Sequence, residues 1–164
     1  MKIMVSACLL GQNCKYNGGN NYSEKVMAFT AGHEVIPVCP EVAGGLPVPR
    51  SSCEIVNGEV VDSAGVSRDK EFRAGAEACV RLAKENRIDL AILQSRSPSC
   101  GVDQVYDGTF SGHLIDGSGV FASLLRENGF SIIDAGNLSP LLTIRINEVK
   151  NGRDQHASDR ICQK

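Results

Sequence analysis

The run Leu90-Ala91-Ile92-Leu93 constrains the fold more than any other stretch of this chain. It contains no polar residue and sits inside "DLAILQS", between a helical segment and a loop. A strand with one wet face alternates apolar and polar side chains. A strand without alternation is covered on both faces, as in the middle of a parallel sheet with helices above and below. The rest of the chain supplies matching parts. Ile3 to Ala7, "EVIPVC" and "FSIIDA" read as further strands. Ser23 to Ala31, Arg68 to Asn86 and Ser118 to Asn128 read as helices, the first capped by Ser23 and ended by Gly32, the last ended by Gly129. In the second, Phe72, Ala76, Cys79, Val80 and Ala83 form one apolar face. "CEIVNGEVVD" predicts a small β-hairpin turning at Asn57-Gly58. The segments 11–23, 40–52 and 96–117 read as loops, rich in Gly, Asn, Pro and Ser.

Strands alternating with helices predict an α/β fold. The expectation is a single-domain, Rossmann-like, mostly parallel sheet with helices on both faces, spanning residues 1–138. A C-terminal helix near 139–150 and a polar tail are expected to complete 139–164. At 164 residues the chain can bury a core without covalent staples. The net charge of -2 argues against a surface built to grip a nucleic-acid backbone, so a small substrate is the better expectation than a polyanion. No stretch approaches the ~20 apolar residues of a membrane span. The opening "MKIMVSACLLG" reads as a strand rather than a signal peptide. A cytoplasmic protein, monomeric or homodimeric, is expected.

Seven cysteines stand at 8, 14, 39, 53, 79, 100 and 162. In a reducing compartment cysteines in such numbers point to metal or catalysis more often than to bridges. Cys79 belongs to an apolar helix face, and Cys162 to the polar tail. Cys8, Cys39 and Cys100 are different, because each follows an apolar strand run. Ligands of open parallel sheets bind outside the carboxyl ends of the strands, so three cysteines at three strand ends could meet at one mouth. Gly11, Gly44, Gly45 and Gly101 would let backbone approach a bound object there. No C-x-x-C occurs, so neither a zinc ribbon nor a thioredoxin-type pair is indicated. Core packing of Cys8 and Cys39 is the alternative on spacing alone.

Polar residues flank these cysteines. Glu41 stands two residues after Cys39, where a carboxylate could serve as a general base for water. Ser97 precedes Cys100 by three residues in "QSRSPSCG", where a hydroxyl could hold a substrate atom or relay a proton, or simply bond its own turn. Two further readings stand beside a metal site. One is a non-catalytic metal- or nucleotide-binding α/β module. The other is a cysteine-nucleophile enzyme using Cys100, for which His33 and His113 are the candidate bases.

Taken together, "SACLLGQNCKYNGG", "VCPEVAGGLPVPR", "SRSPSCG", "YDGTF" and "GSGVFASLLRENGF" resemble the thiouracil desulfidase family across about residues 1–137. The resemblance implies a [4Fe–4S] cluster bound by Cys8, Cys39 and Cys100, with one iron left open for the sulfur of a thiolated nucleobase or nucleoside. It implies a non-redox desulfuration, 2-thiouracil to uracil and hydrogen sulfide, with Glu41 and Ser97 as the matching catalytic residues. Cys14, Tyr16, Ser99 and Gly101 are further pocket candidates. This chain departs from the family pattern at Gln94, where a lysine is common, at Asn17, where Y-D-G is usual, and at Ser51-Ser52-Cys53, which replaces a Pro-Pro-Ala run.

Overall fold

The computed structural model of the protein describes residues 1–139. Four strands, β1 (Lys2–Ser6), β2 (Glu34–Val38), β5 (Leu90–Leu93) and β8 (Ile132–Asp134), form the central sheet. Its order is β2-β1-β5-β8, and every neighbouring pair is parallel. All four residues of β5 are buried, as a strand covered on both faces must be. Met4, Ala91 and Leu93 point to one face and pack on helices α3 (Asp69–Asn86) and α4 (Val120–Glu127). Ile3, Val5, Leu90 and Ile92 point to the other and meet Val26 and Phe29 of α1 (Glu24–Thr30). The expected Rossmann-like architecture, with helices on both faces, is therefore observed. Ser23 caps α1 as expected, its Oγ accepting from the Val26 amide at 3.3 Å.

The strand order reverses at β1. The chain steps from β1 to β2 on one side, then returns through β5 to the other. Such a switch point leaves a crevice at the carboxyl ends of the central strands.

The expected hairpin is β3 (Cys53–Val56) paired antiparallel with β4 (Glu59–Asp62). Asn57 and Gly58 turn it with φ of 50° and 80°, the left-handed pair that a tight hairpin needs. Two elements lie where loops were expected. The 96–117 segment contains a second hairpin, β6 (Gln104–Tyr106) with β7 (Leu114–Asp116). The 40–52 segment opens with a single helical turn, α2 (Pro40–Ala43). β6 and β7 are joined across residues 107–113 rather than by a two-residue turn, and α2 is a single turn, so neither announces itself locally.

The glycines near the strand ends also serve a different purpose from the one expected. A Cβ on Gly44 would lie 2.0 Å from the Glu71 carbonyl oxygen, and one on Gly75 would lie 1.7 Å from that of Pro40. These two glycines let α2 press against α3. Gly101 is equally confined, since its Cβ would stand 2.7 Å from the carbonyl oxygens of both Ser97 and Gln104. At Gly44 and Gly101 the close approach is chain to chain rather than chain to ligand. The expected C-terminal helix and tail fall outside the described residues. Among the described residues, no helix is long and apolar enough to cross a membrane.

Candidate active site at the switch point

Three chain segments leave the carboxyl edge of the sheet and carry the thiols. After β1 the chain tightens into a 3-10 turn, Ala7–Leu10, which holds Cys8 and is released by Gly11 at φ 89°. After β2, Cys39 is the N-cap of α2, followed by Pro40 at the first helical position and Glu41 in the same turn. Pro suits that position because its missing N–H would have had no helical partner. After β5, the Ser97 Oγ accepts from the amides of Ser99 (3.1 Å) and Cys100 (3.0 Å), which folds the turn that presents Cys100. The Ser6 Oγ accepts from the Gln94 amide at 3.0 Å and so stitches the end of β1 to the end of β5.

These segments enclose a cavity of about 710 Å³. Cys8, Cys39 and Cys100 all line it, with Glu41, Ser97, Cys14 and Tyr16. Ser99 and Gly101, expected in the pocket, lie behind its wall. Ser99 is 1 % exposed, and its Oγ has no hydrogen-bond partner among the described residues. The far wall comes from the two hairpins, through Cys53, Glu54, Tyr106 and Phe110. Glu54 joins them, its Oε1 accepting from the amides of Gly108 (3.0 Å) and Phe110 (3.2 Å).

The thiols are close enough to affect one another. Burial pushes the Cys8 thiol up to about 11, and the neighbouring Cys39 adds to the shift. Burial pushes Cys14 up to about 12, with Cys39 and Cys8 adding. The Cys39 thiol donates to the Cys14 carbonyl oxygen at 3.9 Å. Burial holds Cys100 well above the ordinary thiol range. The Asn21 side chain and the Lys15 charge act the other way on Cys8, as the Ser6 side chain does on Cys100. The Cys8, Cys14 and Cys100 thiols thus favour their protonated form. A metal would have to displace those protons.

The donor set suits an iron–sulfur cluster, whose ligands are thiolates spread over separate irons. Cys8, Cys39 and Cys100 bring three such thiols to one cavity. Of the bases considered for a nucleophilic Cys100, neither His33 nor His113 lines the cavity; His33 Nδ1 stands 3.2 Å from the Met1 amine, and His113 Nδ1 3.0 Å from the Ser111 Oγ.

Arg50 went unnoticed in the sequence, although it closes the motif "VCPEVAGGLPVPR". Its Nε and Nη2 reach the same Glu41 oxygen, Oε2, at 2.8 and 2.6 Å. The two side chains are 7 % and 15 % exposed, so this ion pair is largely shielded from water. The only signal available beforehand was the arginine ending a Pro-rich loop.

Comparison with known proteins agrees with this geometry. A solved structure described as a [4Fe-4S]-dependent thiouracil desulfidase, TudS, superposes with a TM-score of 0.82 at 38% identity, covering 89% of this chain and 97% of that one. The uncharacterized protein YbbK of Bacillus subtilis (strain 168) is 37% identical over 150 residues, 85% of this chain and 99% of the relative. The family model for 2-thiouracil desulfurase matches residues 3–136. The chain belongs to the 2-thiouracil desulfurase family.

Proposed function

We propose that the protein is an iron–sulfur-dependent desulfidase that turns a thiolated nucleobase and water into the oxygenated base and hydrogen sulfide, for 2-thiouracil giving uracil. No electrons are gained or lost, because an oxygen from water replaces the sulfur. Cys8, Cys39 and Cys100 are the thiolates that would hold a [4Fe–4S] cluster, thiolate being the ligand such clusters take. When bound, the cluster supplies an iron with no protein ligand, a Lewis acid suited to the soft sulfur of a thiocarbonyl group.

The chain's own residues do the rest. Arg50 engages Glu41 through Oε2 alone, and Oε1 takes no hydrogen bond from the described residues. Oε1 is the atom that accepts a proton from the attacking water. The Ser97 oxygen already accepts two amides, so its hydrogen is left to donate to the substrate ring. Tyr16, Tyr106 and Phe110 offer flat apolar surface against which a pyrimidine can lie.

The observation that carries this reading is the meeting of Cys8, Cys39 and Cys100, from three separate strand ends, in one cavity with the Glu41 carboxylate. The test is anaerobic reconstitution with iron and sulfide. Protein-bound iron and acid-labile sulfide are then measured, followed by sulfide release from 2-thiouracil. Stable iron binding with sulfide release is expected. A protein that takes up no iron and is inert towards thiolated bases would refute the reading.

A further inference from the structure

Arg50 is bonded to more of this site than any residue named in its motifs. The Nη2 that holds Glu41 also donates to the Cys14 carbonyl at 2.9 Å. Nη1 donates to the Pro47 carbonyl at 3.1 Å, and the Arg50 amide donates to the Tyr16 carbonyl at 2.7 Å. One residue thus ties three things together: the carboxylate of α2, the Pro-rich loop it stands in, and the 11–23 segment that carries Cys14 and Tyr16 into the cavity. That segment is rich in Gly and Asn and contains no helix or strand. Local bonds shape its turns, among them Asn20 Nδ2 to Asn13 Oδ1 at 2.8 Å and the Gly19 amide to Asn17 Oδ1 at 3.0 Å, while Arg50 ties the Cys14 and Tyr16 carbonyls to the 40–52 segment.

The pattern of contacts says more than the presence of a charge. A fork-to-fork pair would occupy both carboxylate oxygens. Here both guanidinium N–H groups converge on Oε2, which fixes the carboxylate's orientation and leaves Oε1 open. A lysine could neutralise Glu41, but it has no rigid fork with which to hold Oε2 and the Cys14 carbonyl at once.

We infer that Arg50 is a positioning residue that sets the orientation of the Glu41 carboxylate and clamps the Cys14–Tyr16 segment over the cavity. The Glu41 half of this inference rests on the desulfidase reading; the clamp does not.

The test uses Arg50→Lys and Arg50→Ala in the full chain, each checked for folding by thermal melting. In the reconstituted enzyme, kcat for sulfide release should fall about 10²-fold in both, with KM within about twofold of the parent, as for loss of an orientation felt in the transition state. Bound iron per chain should not change, because Arg50 touches none of the three thiols. Guanidinium ion at low millimolar concentration should restore part of the kcat of Arg50→Ala and nothing to Arg50→Lys, whose ammonium fills the space. An unchanged kcat, a loss carried in KM alone, or a kcat loss that tracks lost iron would overturn the Glu41 role.

The second measurement needs no activity. In the cluster-free protein, alkylation of Cys14 by a maleimide, followed by peptide mass mapping, should run about tenfold faster in both variants, a shift matching about 1.4 kcal/mol of local opening. An unchanged alkylation rate would overturn the clamp. If the parent enzyme releases no sulfide, the desulfidase reading fails, and the alkylation rates still decide whether Arg50 clamps. Should Arg50→Ala not fold, Arg50→Lys, which keeps the charge, decides both points.

Discussion

The sheet wall and the hairpin wall of the cavity treat their polar groups in opposite ways. On the hairpin side the buried carboxylates are hydrogen-bonded to the chain around them. Glu54 accepts two amides. Asp62 accepts the Ala64 and Val66 amides on Oδ1, at 2.9 and 3.0 Å, and Arg68 on Oδ2 at 3.0 Å. On the sheet side Cys8 and Cys100 are buried, and burial outweighs the groups that favour their charged form, Asn21 and Lys15 at Cys8 and Ser6 at Cys100. One wall is held by hydrogen-bonded carboxylates, and the other carries the three thiols proposed as cluster ligands. The hairpins therefore read as scaffold, and the strand ends as the proposed reactive part.

The sharpest way to break this contrast is to remove thiols one at a time. Cys8→Ser, Cys39→Ser and Cys100→Ser should each abolish stable iron binding, measured as iron and acid-labile sulfide per chain after anaerobic reconstitution. Cys53→Ala, on the hairpin wall, should leave it intact. If iron binding survived every change while Cys100→Ser alone stopped sulfide release, Cys100 would be a nucleophile and the two walls would not differ as described.

Next in size is the packing that places Cys39 and Glu41. Gly75→Ala drives a methyl group to within 1.7 Å of the Pro40 carbonyl oxygen, so α2 must shift off α3. Denaturant unfolding should show a loss of about 2–3 kcal/mol, as for overpacking elsewhere. The reconstituted variant should also lose sulfide release, because its displaced turn carries both a ligand and the base.

The two walls should also fail at opposite ends of the pH scale. The Val66 amide, with Arg68 and Ala64 behind it, holds the Asp62 carboxyl below its ordinary value of 3.8. Its stabilisation is present above that pH and is lost as pH falls through the lowered value. Asp62→Asn should thus melt lower than the parent at neutral pH, with the gap closing in acid. For the thiols the sign reverses. The unfolded chain releases their protons from about 9.0, whereas folded Cys8 keeps its proton to about 11. The cluster-free protein should lose stability as pH rises across that window. Melting temperatures across pH check both limbs, and Cys8→Ser should flatten the alkaline one.

The smallest effect concerns Ser99. Its hydroxyl is buried without a partner, so Ser99→Ala should raise stability by about 1 kcal/mol. Sulfide release should be unaffected, because the residue stands behind the wall. A loss of activity would mean that it reaches the cavity after all.

Much of this molecule could be read along the chain, because the relevant signals are local. An unbroken apolar run must be covered on both faces, which is why Leu90 to Leu93 announced a parallel sheet. Asn57-Gly58 needs no distant partner to turn a hairpin. Cys8, Cys39 and Cys100 were conspicuous because each follows such a run. What stayed hidden depends on contacts between distant segments. Arg50 meets Cys14 across 36 positions, and Gly108 meets Glu54 across 54. Ser97 and Ser99, two residues apart in one turn, differ in that the first reaches the cavity and the second does not. Gly44 gave no hint that it was shaped by Glu71 on another helix.

Periodicity and turn chemistry act over a few residues, and they were enough to dictate the layered α/β architecture and the delivery of three thiols to one edge of the sheet. Which neighbours complete the site was settled by the folded chain: the Arg50–Glu41 pair, Cys14 beside Cys39, and the hairpins that wall the cavity. Those choices are made by packing and burial, which no short window of sequence contains.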